Sequence, residues 1–301
     1  MAPFSSIDDA VQRLRTGDAV AMPTETVYGL AGDARNPLAV RRIYALKGRP
    51  AGHPVIVHLG PNEDPEQWGI ITQTARTLVD AFWPGPLTLI VAKRSNVLHE
   101  VTGGLPSVGL RMPSHPVAQD LLRRFGSGLA APSANRFGRI SPTTADHVRM
   151  EFGDDVAVVD GGPSHVGVES TIVDTTSERP AILRLGSVLP SDIDALVGPL
   201  GASATAAPGT LKSHYAPMTS LHLSTDPKQD KKRLEALGLT VAVFPAPSVD
   251  AHARTLYAEL RRLDALGVDV LVAERARDEG LGAAVNDRLT RAAYSFSTTE
   301  D

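Results

Sequence analysis

Apolar and polar positions alternate along the first two thirds of the chain in a way that predicts amphipathic helices and short strands in mixed order. Apolar residues spaced three and four apart predict helices, and short runs rich in Val, Ile and Leu predict strands. The predicted helices span 5–14 (with Ser6 as a cap), 37–46, 72–82, 116–124, 144–152 and 191–196. The predicted strands span 19–22, 54–59, 87–92, 108–111, 129–131, 156–159, 171–174 and 182–185. This mixture predicts an α/β fold whose twisted sheet is mixed rather than purely parallel, with flanking helices.

The pattern changes between Gly198 and Pro217, where Gly, Ala, Ser, Thr and Pro dominate. Such a segment has too little apolar bulk for a core element and predicts a linker. Beyond it, strands predicted at 219–223, 239–244 and 268–272 alternate with helices predicted at 228–237, 251–265 and 282–293. This alternation predicts a small parallel, Rossmann-like α/β unit. The predicted domains are therefore 1–200 and 218–301, joined by the linker 201–217.

Composition narrows the class of protein. Of 301 residues, 42% are hydrophobic and 21% are charged, which is typical of a globular chain. The chain has no Cys, which excludes a disulfide scaffold, a thiolate nucleophile and any Cys-ligated metal site. It also lacks an apolar run of about 18 residues and a signal-peptide pattern. These features predict a soluble cytoplasmic protein with no membrane span.

The net charge of −4 conceals two stretches with basic residues and no acidic ones, at 34–62 and 121–145. Such stretches suggest a local anion site, although the alternative of solvated charges on helix faces is equally open. Arg41, Arg42, Arg123 and Arg124 lie in these stretches and match no motif.

Two loops after predicted strands and helices carry candidate chemistry. The run PTETVYGL at 23–30 sets hydroxyls beside a carboxylate, which suits either a small polar substrate or ordinary turn chemistry. The run KGRPAGHP at 47–54 offers Lys47 and Arg49 to polyphosphate oxygens, or forms a solvated basic loop. It is not a Walker A motif.

Two further segments place polar groups next to apolar strands. Arg111 interrupts an apolar strand, and a half-buried Arg needs an anionic partner, either a ligand or an internal carboxylate such as Glu25 or Glu169. Ser133, Asn135 and Ser141 can donate to phosphate or satisfy backbone amides, and Thr143 is a candidate helix cap.

Six runs in a fixed order resemble the YrdC-type threonylcarbamoyl-AMP synthases. They are PTETVYGL, KGRPAGHPVIVHL, FWPGPLTLIV, VGLRMPSHP, APSANRFGRISPT and GVESTIVD. The run PGTLKSHYAP at 208–217, followed by a small α/β unit, resembles the long two-domain form of that family. The resemblance implies a YrdC-like sheet domain followed by the Rossmann-like domain.

The resemblance also implies an ATP-using enzyme of tRNA modification. Such enzymes condense L-threonine, bicarbonate and ATP to L-threonylcarbamoyladenylate and release pyrophosphate. Mg²⁺ is implied as the companion of ATP, without a metal site formed by the protein. A downstream transferase complex then delivers the threonylcarbamoyl group to tRNA, and direct contact of this chain with tRNA is left open.

Carried over by position, the resemblance implies a set of site residues. Those for L-threonine are Thr26, His58, Arg111 and Ser170, with Arg111 pairing its carboxylate. Those for ATP are Lys47, Arg49, His53, Ser107, Ser133, Asn135, Ser141, Arg184, His214 and Tyr215. Lys47 and Arg49 are the implied catalytic pair, because they would offset charge developing on pyrophosphate. His214 and Tyr215 belong to the linker, which is implied to fold over the active site.

Two other functions compete with this assignment. An RNA-binding module could use the basic stretches without any chemistry, but it would not require Thr26 and Arg111 together. A carbamoyl-transfer domain of hydrogenase maturation shares the core, but it would normally lie in a longer chain with Cys-rich zinc segments. The absence of Cys and the length of 301 residues disfavour it.

Overall fold

A computed structural model of the chain describes residues 4–205, 207–209, 213–245 and 248–294. The helices are α1 (Ile7–Arg15), α2 (Pro37–Lys47), α3 (Gln73–Phe82), α4 (His99–Thr102), α5 (Pro116–Phe125), α6 (Ala145–Phe152), α7 (Pro190–Val197), α8 (Pro227–Ala236), α9 (Val249–Asp264) and α10 (Gly282–Ala293). The strands are β1 (Val20–Met22), β2 (Gly29–Asp33), β3 (Ile56–His58), β4 (Leu87–Ala92), β5 (Ser107–Arg111), β6 (Leu129–Ala130), β7 (Ala157–Val158), β8 (Thr171–Asp174), β9 (Ala181–Arg184), β10 (Ser220–Ser224), β11 (Val241–Phe244) and β12 (Val270–Glu274).

The strands of the N-terminal unit, which comprises β1–β9 and α1–α7, form one mixed sheet. Its order is β7-β1-β2-β6-β3-β5-β4-β8-β9, in which β1 is parallel to β7, β3 to β5 and β4 to β8, and the other neighbours are antiparallel. One face packs on α2, α3, α6 and α7, whose apolar residues join a single buried cluster. On the other face α1 and α5 cover only the half of the sheet around β1, β2 and β6. The other half of that face carries the site, and Ala207 packs there on Ile56, Ile90 and Ile172.

The strands of the C-terminal unit, which comprises β10–β12 and α8–α10, form a separate parallel sheet in the order β10-β12-β11. Alternation along β12 sends Val270 and Val272 to the face packed against α8. The same alternation sends Leu271 and Ala273 to the face shared with α9 and α10. The predicted fold class, a mixed sheet followed by a small parallel α/β unit, is confirmed.

Most predicted elements lie within two residues of their observed bounds, and Ser6 caps α1 as predicted, accepting from the amide of Asp9. Three details differ. β2 was not predicted, because its sequence Gly-Leu-Ala-Gly-Asp lacks the β-branched residues that mark a strand. The short helix α4 was also missed. The cap of α6 is Thr144 rather than Thr143, which contacts His147 instead.

Parts of the predicted linker and C-terminal domain lie outside the described residues, namely 206, 210–212, 246–247 and 295–301. Across the part of the chain that is described, no helix combines the length and apolar character needed to cross a membrane. The four arginines without a motif lie at the surface in ion pairs: Arg41 with Glu100, Arg42 with Asp18, Arg123 with Asp120, and Arg124 with Asp8 and Asp120.

Candidate active site

A cleft opens on the half of the sheet that α1 and α5 do not cover, where β3 and β5 end. His58 and Arg111 are paired in register at the last positions of these parallel strands, so both side chains leave the same face together. Both are buried, and both line the cleft. The empty space of the cleft measures about 580 Å³ when its open mouth is included.

Arg111 has an internal partner. Its Nη2 lies 2.6 Å from Oε1 of Glu25, and its Nε donates to the carbonyl of Gly85 at 3.3 Å. Of the two carboxylates considered from sequence, the partner is therefore Glu25 rather than Glu169. The second oxygen of Glu25 has no hydrogen-bond partner. Arg111 faces the cleft while Glu25 lies behind it, so this wall presents a fixed cation.

His58 is a neutral polar group beside that cation. Burial, with the nearby charge of Arg111, lowers the pKa of His58 to about 3. Its Nδ1 has no hydrogen-bond partner although it is buried. An unpaired buried ring nitrogen is costly, so His58 is suited to pair with a ligand that enters the cleft.

Hydroxyl groups complete this end of the cleft. Thr24 Oγ1 donates to the carbonyl of Val27 at 2.6 Å and lies 2.9 Å from Thr26 Oγ1. The turn made by Thr24 therefore holds Thr26 against the cleft. Ser170 Oγ lies 2.7 Å from the hydroxyl of Thr88 and accepts from Arg184 Nη2 at 3.0 Å.

Two more buried guanidinium groups line the cleft, those of Arg49 and Arg184. Arg49 donates to the carbonyl of Pro54 at 2.9 Å, and its Nε has no partner. Arg184 donates to the carbonyls of Ser170 and Pro208, each at 3.0 Å. Ser133 lines the same region. A ligand with several negative charges would compensate these cations.

Several residues predicted to bind ATP lie behind the lining rather than in it. They are Lys47, His53, Ser107, Asn135 and Ser141. Lys47 Nζ donates to the carbonyls of Ser133 and Asn135, each at 2.5 Å, and burial beside Arg49 lowers its pKa well below the usual range. Lys47 therefore fixes the loop that carries Ser133.

Part of the predicted linker reaches the cleft. Pro208, Gly209, His214 and Tyr215 all line it. Tyr215 has a φ of 64°, a value that bulky residues adopt only at a cost. Its ring contacts His214 with centroids 4.1 Å apart and stacks on Tyr257 of α9 at 5.7 Å. Gly209 permits this packing, because a Cβ there would lie 2.3 Å from the hydroxyl of Tyr215.

Sequence reasoning missed a second buried ion pair at the cleft. Glu169 lines the cleft and accepts from Ser141 Oγ, Tyr257 Oη and Arg288 Nε. Burial raises the pKa of Glu169, but Arg288, Arg184 and the donated hydrogen bonds outweigh it and lower that pKa to about 2. Tyr257 and Arg288 lie 88 and 119 residues further along the chain, so no local signal could have identified them.

A Mg²⁺ ion held by the protein would need several oxygen ligands, such as carboxylates. Among the described residues, no group of three or more His, Asp or Glu side chains is placed to hold one. The two carboxylates at the cleft, Glu25 and Glu169, are each bound to an arginine. The protein side chains therefore do not fit a resident Mg²⁺ ion.

Comparison with known proteins places the chain. The Sua5/YciO/YrdC family, described as "Telomere recombination", matches residues 12–186, and the family described as "Threonylcarbamoyl-AMP synthase, C-terminal domain" matches 182–294. The threonylcarbamoyl-AMP synthase of Pyrococcus abyssi is 38% identical over 93% of this chain and 91% of its own length. That of Bacillus subtilis is 38% identical over 95% and 92%.

A solved structure supports the same placement. The crystal structure of P. abyssi Sua5 complexed with L-threonine superposes with a TM-score of 0.88 at 37% identity, covering 95% of this chain and 94% of that one. Together with the order of the motifs and the matching C-terminal unit, these likenesses show that the chain belongs to the Sua5 family of threonylcarbamoyl-AMP synthases.

Proposed function

We propose that the cleft binds L-threonine at its Arg111 end and ATP at its Arg49 and Arg184 end, and joins them with bicarbonate. The activity is that of the family: the protein is a threonylcarbamoyl-AMP synthase, which makes the adenylate for the first step of threonylcarbamoyladenosine formation in tRNA. The assignment of each end of the cleft is our own.

One observation supports this assignment best: three buried guanidinium groups, those of Arg49, Arg111 and Arg184, line a single cleft. Arg111 with His58, Thr26 and Ser170 offers a cation, a neutral nitrogen and hydroxyls, which match the carboxylate and hydroxyl of a small amino acid. Arg49 and Arg184 leave two cations for phosphate oxygens. A relative has been crystallised with L-threonine.

The chemistry needs positioning more than covalent help. The amine of threonine attacks the bicarbonate carbon and water leaves, which gives a carbamate. A carbamate oxygen then attacks the α-phosphorus of ATP as the bond to pyrophosphate breaks. Alignment of the carbamate with that phosphorus, and cations beside the departing pyrophosphate, account for the protein's contribution.

In this proposal Arg49 contacts the phosphates directly, and Lys47 acts by holding the loop of Ser133. His53, Ser107, Asn135 and Ser141 support the ATP end from behind the lining. His214 and Tyr215 close over it from the linker. The functional division is the catalytic domain 1–200, the linker 201–217 and the C-terminal domain 218–301.

The other proposed partners are Mg²⁺ and a downstream transferase complex. Mg²⁺ would arrive with ATP and be held by phosphate oxygens, since the cleft carboxylates are already paired. The product would pass to a tRNA threonylcarbamoyl-transferase complex in the cytoplasm.

The test is pyrophosphate release from the full chain with ATP, L-threonine, bicarbonate and Mg²⁺. Release should depend on threonine and on bicarbonate, and Arg49→Ala should remove most of it. Arg41→Ala is the matched control, because Arg41 lies in the same basic stretch but pairs with Glu100 at the surface. Release that continues without threonine or bicarbonate would contradict the substrate assignment.

A further inference from the structure

Glu169 connects the cleft to the C-terminal unit. Its Oε1 accepts from Ser141 Oγ at 2.6 Å, and its Oε2 accepts from Tyr257 Oη at 2.8 Å and from Arg288 Nε at 3.0 Å. Two of these three donors belong to α9 and α10. The carboxylate that lines the cleft is therefore held mainly from the other unit.

Arg288 is suited to hold a fixed position. It is 1% exposed, and its three nitrogens reach Glu169, Asp287 Oδ2 at 2.7 Å and the carbonyl of Leu185 at 2.8 Å. Its guanidinium also lies 5.4 Å from the ring centre of Tyr215. Arg288 thus touches the segment before β8, the end of β9 and the linker, yet it does not line the cleft.

The charge of Glu169 would be harmful at a polyphosphate site if it were uncompensated. A carboxylate facing the cleft repels phosphate oxygens, and it attracts the guanidinium of Arg184, which the phosphates need. Arg288 supplies the opposite charge from behind, where it does not occupy space in the cleft. The same contact leaves Oε1 free to orient the hydroxyl of Ser141.

We propose that Arg288 is a positioning residue for ATP, because it neutralises Glu169 from the C-terminal unit and thereby keeps Arg184 available to the nucleotide. Tyr257 assists it as the second donor from the same unit. The C-terminal unit is then a working part of the ATP site through these two side chains. This inference rests on the proposed function, since it assumes that ATP binds at this end.

The experiment compares three variants of the full chain: Arg288→Met, Glu169→Gln and the double variant. Arg288→Met should raise KM for ATP about tenfold, because loss of the guanidinium leaves the charge of Glu169 buried, unpaired and facing the nucleotide. KM for L-threonine should change much less, since Arg111 and His58 are untouched. Adding Glu169→Gln should restore most of the ATP affinity, because the uncompensated charge is then gone.

A purely structural role for Arg288 predicts a different result. The double variant would then bind ATP no better than Arg288→Met, and such a result would overturn the proposal. Equal rises in KM for ATP and for threonine would overturn it as well. Ser224→Ala is the matched control: it removes a buried hydroxyl bond to Asp230 in the C-terminal unit and should leave both KM values unchanged.

A second measurement tests the proposal even if Arg288→Met does not fold. Glu169→Gln alone should lower KM for ATP, because it removes a negative charge from the cleft while the cation of Arg288 stays, whereas a raised value would contradict charge compensation. Pyrophosphate release by the wild-type chain distinguishes failure of the proposed function from failure of the role proposed for Arg288. If its pyrophosphate release does not depend on threonine, the proposed function fails. If that release does depend on threonine but the variants match the wild type, only the role of Arg288 fails.

Discussion

Two buried carboxylate–guanidinium pairs border the cleft, and they face it in opposite directions. At one end Arg111 lines the cleft and Glu25 lies behind it, with 2.6 Å between their nearest atoms. At the other end Glu169 lines the cleft and Arg288 lies behind it, at 3.0 Å. Each pair has no net charge as a whole, but a ligand meets a cation at the first and an anion at the second.

The two pairs also differ in where their hidden partners come from. Glu25 and Arg111 both belong to the N-terminal unit. Arg288 belongs to α10, so the second pair exists only when the C-terminal unit is docked. The difference indicates that the Arg111 end is preorganised within one unit, whereas the Glu169 end depends on two.

The largest effect is expected at the Arg111 pair. Arg111→Met removes the cation that meets the ligand and leaves Glu25 buried and unpaired. Breaking a buried pair in this way costs about 3–5 kcal/mol of stability. Threonine-dependent pyrophosphate release should fall about a hundredfold in kcat/KM, since a charge-assisted contact is lost.

Steady-state kinetics and chemical denaturation measure these two quantities. Arg41→Met serves as the comparison, because it breaks an exposed pair with Glu100 and should change stability by less than about 1 kcal/mol. Retention of normal threonine dependence by Arg111→Met would show that the cation at this end does not bind the substrate.

An intermediate effect on the stability of the fold is expected when the pH is lowered and Glu169 of the second pair becomes protonated. Its pKa of about 2 lies below the ordinary value of 4.5, because Arg288, Arg184 and hydrogen bonds outweigh burial. A carboxyl with a depressed folded-state pKa stabilises the fold above pH 4.5, and that stability is lost as the pH falls from about 4.5 to 2. The loss should be about 3 kcal/mol.

Free energies of unfolding measured by denaturant at several pH values will test this window. Wild type should lose stability relative to Glu169→Gln as the pH falls, and Glu274→Gln, which removes an exposed carboxylate, provides the control. Parallel stability curves for wild type and Glu169→Gln would mean that the pair does not hold its charge in the folded state.

The smallest effect is expected at Tyr257. Tyr257→Phe removes one hydroxyl donor to Glu169 and keeps the Arg288 pair, so about 1 kcal/mol of stability should be lost. KM for ATP should rise about threefold, in the same direction as for Arg288→Met but less, because the charge stays compensated. Thermal denaturation and ATP-dependent kinetics will measure both. An effect on threonine alone would place Tyr257 outside the network described for Glu169.

Much of the fold could be predicted because local patterns carry it. The 3.6-residue period of α5 and the β-branched run of β4 place those elements within a residue of their observed bounds. β2 could not be predicted, because its residues do not favour strands by themselves. It is a strand because its backbone pairs with β1 and β6, which is a tertiary condition.

Sequence motifs supply many of the residues that line the cleft, and their binding roles stay a prediction. Thr26, His58, Arg111 and Ser170 lie along 145 residues of chain, and the structure brings them into one cleft with Arg49 and Arg184. Lys47 shows the limit of this reasoning. Its chemistry suits phosphate, yet its ammonium group is bound to two backbone carbonyls, and only the fold decides which acceptor lies nearest.

By itself, the sequence determined the types and order of most elements, the family and the set of polar residues available for the chemistry. Spacing within a helix, strand or motif encodes those properties, so they can be inferred without a structure. Only the tertiary structure decided which member of each buried pair faces the cleft, and that Arg288 compensates Glu169. Partners 119 residues apart meet because the C-terminal unit packs against the N-terminal unit, and the separation along the chain carries no sign of that contact.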